Sequence, residues 1–138
     1  MFGGWRYPPN WVSWCHRNTS SLMFRRCVFE ELGYWDRVVC SADVEYYHRL
    51  LAAYGEQSVA EVKPHIPLAY GRIIPTSLTQ ASATHIFTRI AGLRWNYSQA
   101  FKAWHQQADS PHALYVPENP EKRPFPVESG MLCMTSKS

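Results

Sequence analysis

The sequence predicts an α/β fold, with a short mixed sheet, flanking helices and a longer helix towards the C-terminus. The composition is that of a globular chain, because 46% of the residues are apolar and 18% are charged. Its 138 residues are enough to bury one hydrophobic core. Short apolar runs bounded by Gly and Pro indicate strands, and apolar residues three or four positions apart indicate helices.

The N-terminal part of the chain is predicted to contain a loop, a strand and a short helix. Residues 1–18 are rich in Gly, Pro and Trp, which favours an irregular loop. The segment TSSLMF follows and places Leu22 and Phe24 on one face of a strand. Residues 25–32 then predict a short helix, which Gly33 ends because glycine adopts the left-handed conformation readily.

A second helix is predicted over residues 42–54, with Ser41 as its N-cap and Gly55 as its end. Glu45 and Arg49 stand at i and i+4, which is the spacing of a stabilising ion pair on an exposed helix face. Four apolar or aromatic residues recur at helical spacing and are expected to face the core: Val44, Tyr47, Leu51 and Tyr54.

The following part is predicted to contain one or two strands and then a long helix. Residues 57–74 include the strand-like segment SVAEV and are interrupted by two prolines. A helix is expected to begin at Ser77 or Thr79 and to end near Gln107, with a kink at Gly92. Its apolar residues keep a spacing of three to four positions: Ile86, Ile90, Leu93, Tyr97, Phe101 and Trp104.

The chain is predicted to divide near residue 110. After Ser110-Pro111 four more prolines follow, at 117, 120, 124 and 126, and the last residues are polar. We therefore expect residues 1–110 to form the domain and residues 111–138 to form a Pro-rich tail that is partly disordered.

Charge and cysteine usage argue against several function classes. The net charge of +3 is small, and the Lys and Arg residues are scattered, so a nucleic-acid interface is not predicted. The four cysteines, at 15, 27, 40 and 133, include no CxxC pair, which disfavours a zinc site. No secretory leader and no apolar run of membrane-spanning length is evident, so the expected location is the cytoplasm.

An ordered set of short motifs lies between residues 10 and 56. It comprises a small polar strand, M-F-R-R, a helix that ends in E-x-L-G, an aromatic-Asp pair and an A-D pair that opens a helix. These motifs are Thr19 to Ser21, Met23 to Arg26, Glu30 to Gly33, Trp35-Asp36 and Ala42-Asp43. Their order resembles the acceptor side of bacterial family-2 glycosyltransferases of the GT-A type. The resemblance implies that residues 1–110 are a partial GT-A-like, Rossmann-like unit.

The resemblance assigns a catalytic role to Asp43. In this family the Asp of an E-D pair is the base that takes the proton from the acceptor hydroxyl during inverting sugar transfer. Asp43 matches that position, while Ala42 stands where many relatives have Glu. Position alone supports an alternative in which Asp43 merely interacts with the amides and the dipole at its helix N-terminus.

The resemblance also suggests how an acceptor would be bound. Hydroxyl groups and an aromatic face are the usual contacts of a sugar ring, and the candidates are Ser20, Ser21, Trp35 and His48. Trp35 is equally typical of a hydrophobic core, and His48 is equally typical of a helix surface.

The donor side of the family is not recognisable in this sequence. Relatives hold Mg or Mn with a D-x-D motif, and no such motif occurs here, so a divalent metal is implied by the family only. We therefore expect a fragment of an inverting glycosyltransferase, with a nucleotide sugar and a saccharide or lipid-linked acceptor as partners. The donor-binding half would lie elsewhere, and the membrane periphery is a compatible location. The alternative is a non-catalytic interaction domain that docks onto a partner supplying the donor site.

Overall fold

The computed structural model describes residues 5–6, 12–13, 22–60 and 74–133; of residues 5, 6, 12, 13 and 86 it describes the backbone alone. Three α-helices dominate this part: α1 (Arg26–Leu32), α2 (Ala42–Tyr54) and α3 (Leu93–Gln107). Short 3-10 helices lie at Glu56–Ser58, Ser82–Thr84, Ile86–Arg89, Pro111–Leu114 and Ser129–Met131. Two strands of two residues each, β1 (Trp5–Arg6) and β2 (Val12–Ser13), pair antiparallel.

The predicted α/β fold is wrong, because the described residues are mainly helical and contain no mixed sheet of the GT-A, Rossmann-like kind. Residues 22–24, the second half of the predicted first strand, form no strand. Residues 56–58 form a 3-10 helix at the start of the predicted strand region. Residues 19–21 and 61–73 lie outside the described part. Short apolar runs do not by themselves distinguish strands from other local structures, which explains the error.

The first two helices follow the local signals in the sequence. Helix α1 ends at Gly33, whose φ is 73°, and helix α2 spans the predicted residues and ends at Gly55. A β-carbon on Gly33 would lie 2.1 Å from the carbonyl oxygen of Val116. Gly33 is therefore required both by its left-handed backbone and by the close approach of the C-terminal segment.

Helix α3 begins at Leu93, so the long helix predicted from Ser77 or Thr79 is wrong over its first part. Gly92 has a φ of 108° and precedes the helix instead of kinking it. Threonine side chains stabilise turns in the preceding segment. The Thr84 hydroxyl donates to the carbonyl of Leu78 over 2.6 Å, and the Thr88 hydroxyl donates to that of His85 over 2.7 Å. Such local bonds compete with the helical backbone pattern.

The buried apolar residues form two clusters. The first joins α3 to the C-terminal segment and contains Val38, Cys40, Tyr97, Phe101, Phe125 and Met131. The second joins α1, α2 and the 3-10 helix Pro111–Leu114 and contains Leu32, Tyr46, Leu50 and Leu114. Trp104 packs against both clusters and so connects them.

Residues 111–133, the described part of the predicted tail, pack into this core. Leu114, Phe125 and Met131 are each 5% exposed or less. Arg123 forms an ion pair with the buried carboxylate of Asp36, which also accepts a hydrogen bond from the Tyr97 hydroxyl over 2.9 Å. The boundary expected near residue 110 therefore does not separate this segment from the helices.

Candidate active site

Asp43 lies in the first turn of α2, as the sequence predicts, and its side chain is partly buried. Its Oδ1 accepts a hydrogen bond from the backbone amide of Val44 over 2.9 Å. The hydrogen bond from the Val44 amide and the position at the helix N-terminus fix the orientation of the carboxylate.

Burial raises the pKa of the Asp43 carboxyl above its usual range, while the Val44 amide and the Arg94 guanidinium act in the opposite direction. A carboxylate with a raised pKa holds a proton more tightly and is a stronger base than an ordinary surface carboxylate. Asp43 is therefore suited by its environment to accept a proton.

Ser41, which precedes α2, does not cap the helix in the predicted way. Its side chain makes no capping hydrogen bond, and instead its hydroxyl accepts a hydrogen bond from Nη1 of Arg94 over 2.9 Å. The φ of Ser41 is 65°, which places its backbone in the left-handed region. The start of α2 is thus held by a side chain from α3.

Trp35 lies in an aromatic cluster beside α2. Its ring centroid is 4.3 Å from that of Tyr46 and 5.7 Å from that of Phe24. Tyr46 follows Asp43 by three positions, so the two residues are neighbours on the helix surface. Trp35 is half-buried, and its role in acceptor binding stays a prediction. The other predicted acceptor residues of this region, Ser20 and Ser21, lie outside the described residues.

His48 lies in a different part of the surface from Asp43. It lines a shallow cleft between the C-terminal halves of α2 and α3, together with Lys102, His105 and Glu56. Asp43 does not line this cleft. Since helical residues turn about 100° each, the two side chains point about 140° apart around the helix axis. Among the described residues, the fold therefore does not bring His48 and Asp43 to one site.

Glu45 and Arg49 form the predicted ion pair, over 3.1 Å, but both side chains are fully buried instead of exposed. Arg49 donates to the backbone carbonyls of Leu32 and Tyr34 over 2.8 and 2.7 Å. Glu45 also contacts Nε2 of His105 over 3.0 Å. The prediction of an exposed pair is wrong. Arg49 lies in the protein interior because it donates hydrogen bonds to backbone carbonyls at and just after the end of α1.

Arg94 is the residue of this site that the sequence did not reveal. It stands in the first turn of α3, and the apolar spacing of that helix says nothing about a contact 53 positions away. The Glu45–His105 contact spans 60 positions and was missed for the same reason.

No group of three or more His, Cys, Asp or Glu side chains that could hold a metal ion occurs within the ranges 22–60 and 74–133. The Mg or Mn that the family resemblance implies stays a prediction.

The comparisons add no relative to this picture. No family model, no curated protein and no solved structure matches this chain.

None of the described helices is both long enough and apolar enough to cross a bilayer.

Proposed function

We propose that this chain is the acceptor-side part of an inverting glycosyltransferase, in which Asp43 takes the proton of the acceptor hydroxyl. The donor is a nucleotide sugar, and the acceptor is a saccharide or a lipid-linked saccharide. The observation that carries the proposal is the partly buried carboxylate of Asp43, with its raised pKa, at a rigid helix start.

The local structure around Asp43 gives the second line of support. The motifs that resemble the glycosyltransferase family occupy a continuous stretch that contains α1, its Gly33 end and the start of α2. Trp35, from the aromatic-Asp motif, packs on Tyr46 one turn after Asp43. Both the proposed base and Trp35 of the aromatic-Asp motif thus belong to or contact helix α2, which supports the proposal.

The proposed chemistry requires little from this chain beyond a base and a binding surface. The acceptor oxygen attacks the anomeric carbon, its proton passes to the Asp43 carboxylate, and the bond from the anomeric carbon to the nucleotide phosphate breaks. The leaving nucleotide takes the bonding electron pair. Groups that bind the donor and stabilise this leaving group are assigned to the donor-binding half.

The test is an NMR titration of the 15N-labelled chain with a panel of mono- and oligosaccharides and with nucleotide sugars, the latter with and without Mn²⁺. We expect saturable shifts of the Asp43 and Val44 amides with at least one saccharide. Nucleotide sugars alone should give no saturable response, since the donor-binding half is assigned elsewhere.

Two variants make this titration specific. Asp43→Asn should weaken the saccharide response, because a carboxylate that accepts a hydrogen bond from the acceptor hydroxyl is lost. Asp109→Asn removes an exposed carboxylate beyond α3 and should leave the response unchanged. If no saccharide shifts the amides at the start of α2, the proposal is wrong.

The second candidate is a non-catalytic interaction domain, and exposed apolar side chains before α3 favour it. Phe87 and Ile90 are 69% and 68% exposed and stand three positions apart, and exposed apolar side chains of this kind are typical of contact surfaces. This candidate gains support if saccharides do not bind and if Phe87→Ser with Ile90→Ser abolishes an association of the wild-type chain measured by sedimentation.

We propose a cytoplasmic location for either function, at the inner face of the membrane for a lipid-linked acceptor.

A further inference from the structure

Arg94 connects three segments that meet at the start of α2. The residue is 8% exposed, and its guanidinium is fixed at two atoms. Nε donates to the carbonyl oxygen of Thr84 over 2.8 Å, and Nη1 donates to the Ser41 hydroxyl over 2.9 Å. A guanidinium held at two atoms loses its rotational freedom and so presents its charge in one place.

The Ser41 contact determines how α2 begins. A serine before a helix usually caps the free amides with its own hydroxyl, but the hydroxyl of Ser41 is engaged by Arg94. Its backbone also has a φ of 65°, which is uncommon for a residue with a side chain. The position of the first turn, and of Asp43 two residues later, therefore depends on α3.

We propose that Arg94 is a positioning residue for Asp43: it anchors the first turn of α2 through Ser41 and holds a positive charge near the Asp43 carboxylate. This inference rests on the proposed function, in which Asp43 is the base. It assigns to that reaction a second residue, from a different helix.

The electrostatic surroundings of Asp43 agree with this role. Two ionisable side chains of the described residues interact with its carboxyl: Arg94 from α3 and Cys40 from the loop before α2. Burial raises the pKa of Asp43, and the charge of Arg94 opposes that rise. Burial likewise raises the pKa of the Cys40 thiol, which keeps it protonated and leaves Arg94 as the charged neighbour. Without Arg94 the carboxyl would keep its proton to higher pH and could not act as a base there.

The test is a pH titration of the 13C-labelled chain by NMR, in which the Cγ shift of Asp43 is followed. Arg94→Gln should move the titration midpoint of Asp43 upward, because the charge is removed while a polar side chain is kept. Arg94→Lys should return the midpoint towards that of the wild type, since the positive charge is restored. An unchanged midpoint in a folded Arg94→Gln chain would overturn the inference.

A measurement on the unaltered arginine covers the case in which Arg94→Gln does not fold. In the wild type the chemical shift of Arg94 Nε–Hε should change with pH, with the same midpoint as the titration of Asp43. This pH-dependent change should vanish in Asp43→Asn. An Arg94 resonance that ignores the titration of Asp43 would overturn the inference. Neither readout needs a saccharide, so failure here is distinct from failure of the saccharide titration.

Discussion

Helix α2 carries two carboxylates two positions apart, Asp43 and Glu45, and the fold surrounds them in opposite ways. Glu45 is fully buried and is paired with Arg49 and His105. Asp43 is only partly buried; one amide bonds to it, and the Arg94 charge acts on it from α3. Glu45 therefore has the contacts of a structural residue, and Asp43 those of a residue that can still bind something else.

The comparison shows that the number of acidic residues on a helix says little about which of them has a function. Each oxygen of Glu45 contacts a positively charged or ring nitrogen inside the protein, so a substrate could reach it only by disrupting the core. Asp43 accepts a hydrogen bond at Oδ1 from the Val44 amide, and burial shifts its pKa towards that of a useful base. The structural role of Glu45 and the proposed role of Asp43 as a base can be separated by the free energy of unfolding and by the rate of sugar transfer.

The largest effect on stability is expected for Arg49→Met. This change removes the arginine that pairs with the buried charge of Glu45, and the carbonyls of Leu32 and Tyr34 lose the hydrogen bonds that Arg49 donates. Breaking a buried ion pair in this way typically costs about 3–5 kcal/mol, which urea unfolding would measure. Arg89→Met, at an exposed arginine, is the control and should cost less than about 0.5 kcal/mol. A loss of similar size in both variants would show that the Glu45 network is not structural.

A smaller loss is expected for His105→Leu, which replaces the imidazole by an apolar side chain of similar size and removes the contact with Glu45. Leaving one buried acceptor unsatisfied costs about 1–3 kcal/mol. His112→Leu changes an exposed histidine and should leave the free energy of unfolding nearly unaltered. If His105→Leu is as stable as the wild type, the contact seen at 3.0 Å contributes no stability.

The smallest effect, of opposite sign, is expected for Asp43→Asn. The folded chain binds the Asp43 proton more tightly than the unfolded chain does, because burial raises the pKa. Ionisation therefore costs folding free energy at neutral pH, and the asparagine variant should be slightly more stable there. The difference should shrink as the pH falls through the raised pKa to below the unfolded value of about 3.9. Asp109→Asn should show no such trend in a pH series of unfolding curves.

Local signals in the sequence were sufficient for some elements. Gly33 and Gly55 end α1 and α2 where the sequence predicts, since a left-handed helix end depends on one or two residues. The predicted start of the long helix is wrong near Thr84 and Thr88. There the threonine hydroxyls donate to backbone carbonyls and stabilise turns in place of the expected first turns of the helix. The spacing of apolar residues does not show whether side-chain hydrogen bonds to the backbone will compete with those of a helix.

Long-range contacts explain what the sequence did not reveal about the site. The spacing of Glu45 and Arg49 fits an exposed pair as well as a buried one, and the choice is made by His105 and by the carbonyls after α1. The catalytic role of Asp43 is predicted from a family resemblance alone, and the contact of Arg94 with the nearby Ser41 emerges only when α3 is packed against α2.

The most direct test of the role of Asp43 is a sugar-transfer assay with product detection by mass spectrometry. Wild-type chain, Asp43→Asn and Asp109→Asn are incubated with nucleotide sugars, Mn²⁺ and the saccharides that bind. Because the donor-binding half is assigned elsewhere, we expect only slow transfer by the wild type and by Asp109→Asn, without saturation by the nucleotide sugar. The rate should be lower by about 10²–10⁴-fold in Asp43→Asn, the usual contribution of a general base. Equal rates of product formation by Asp43→Asn and the wild type would contradict the assignment of Asp43 as the base.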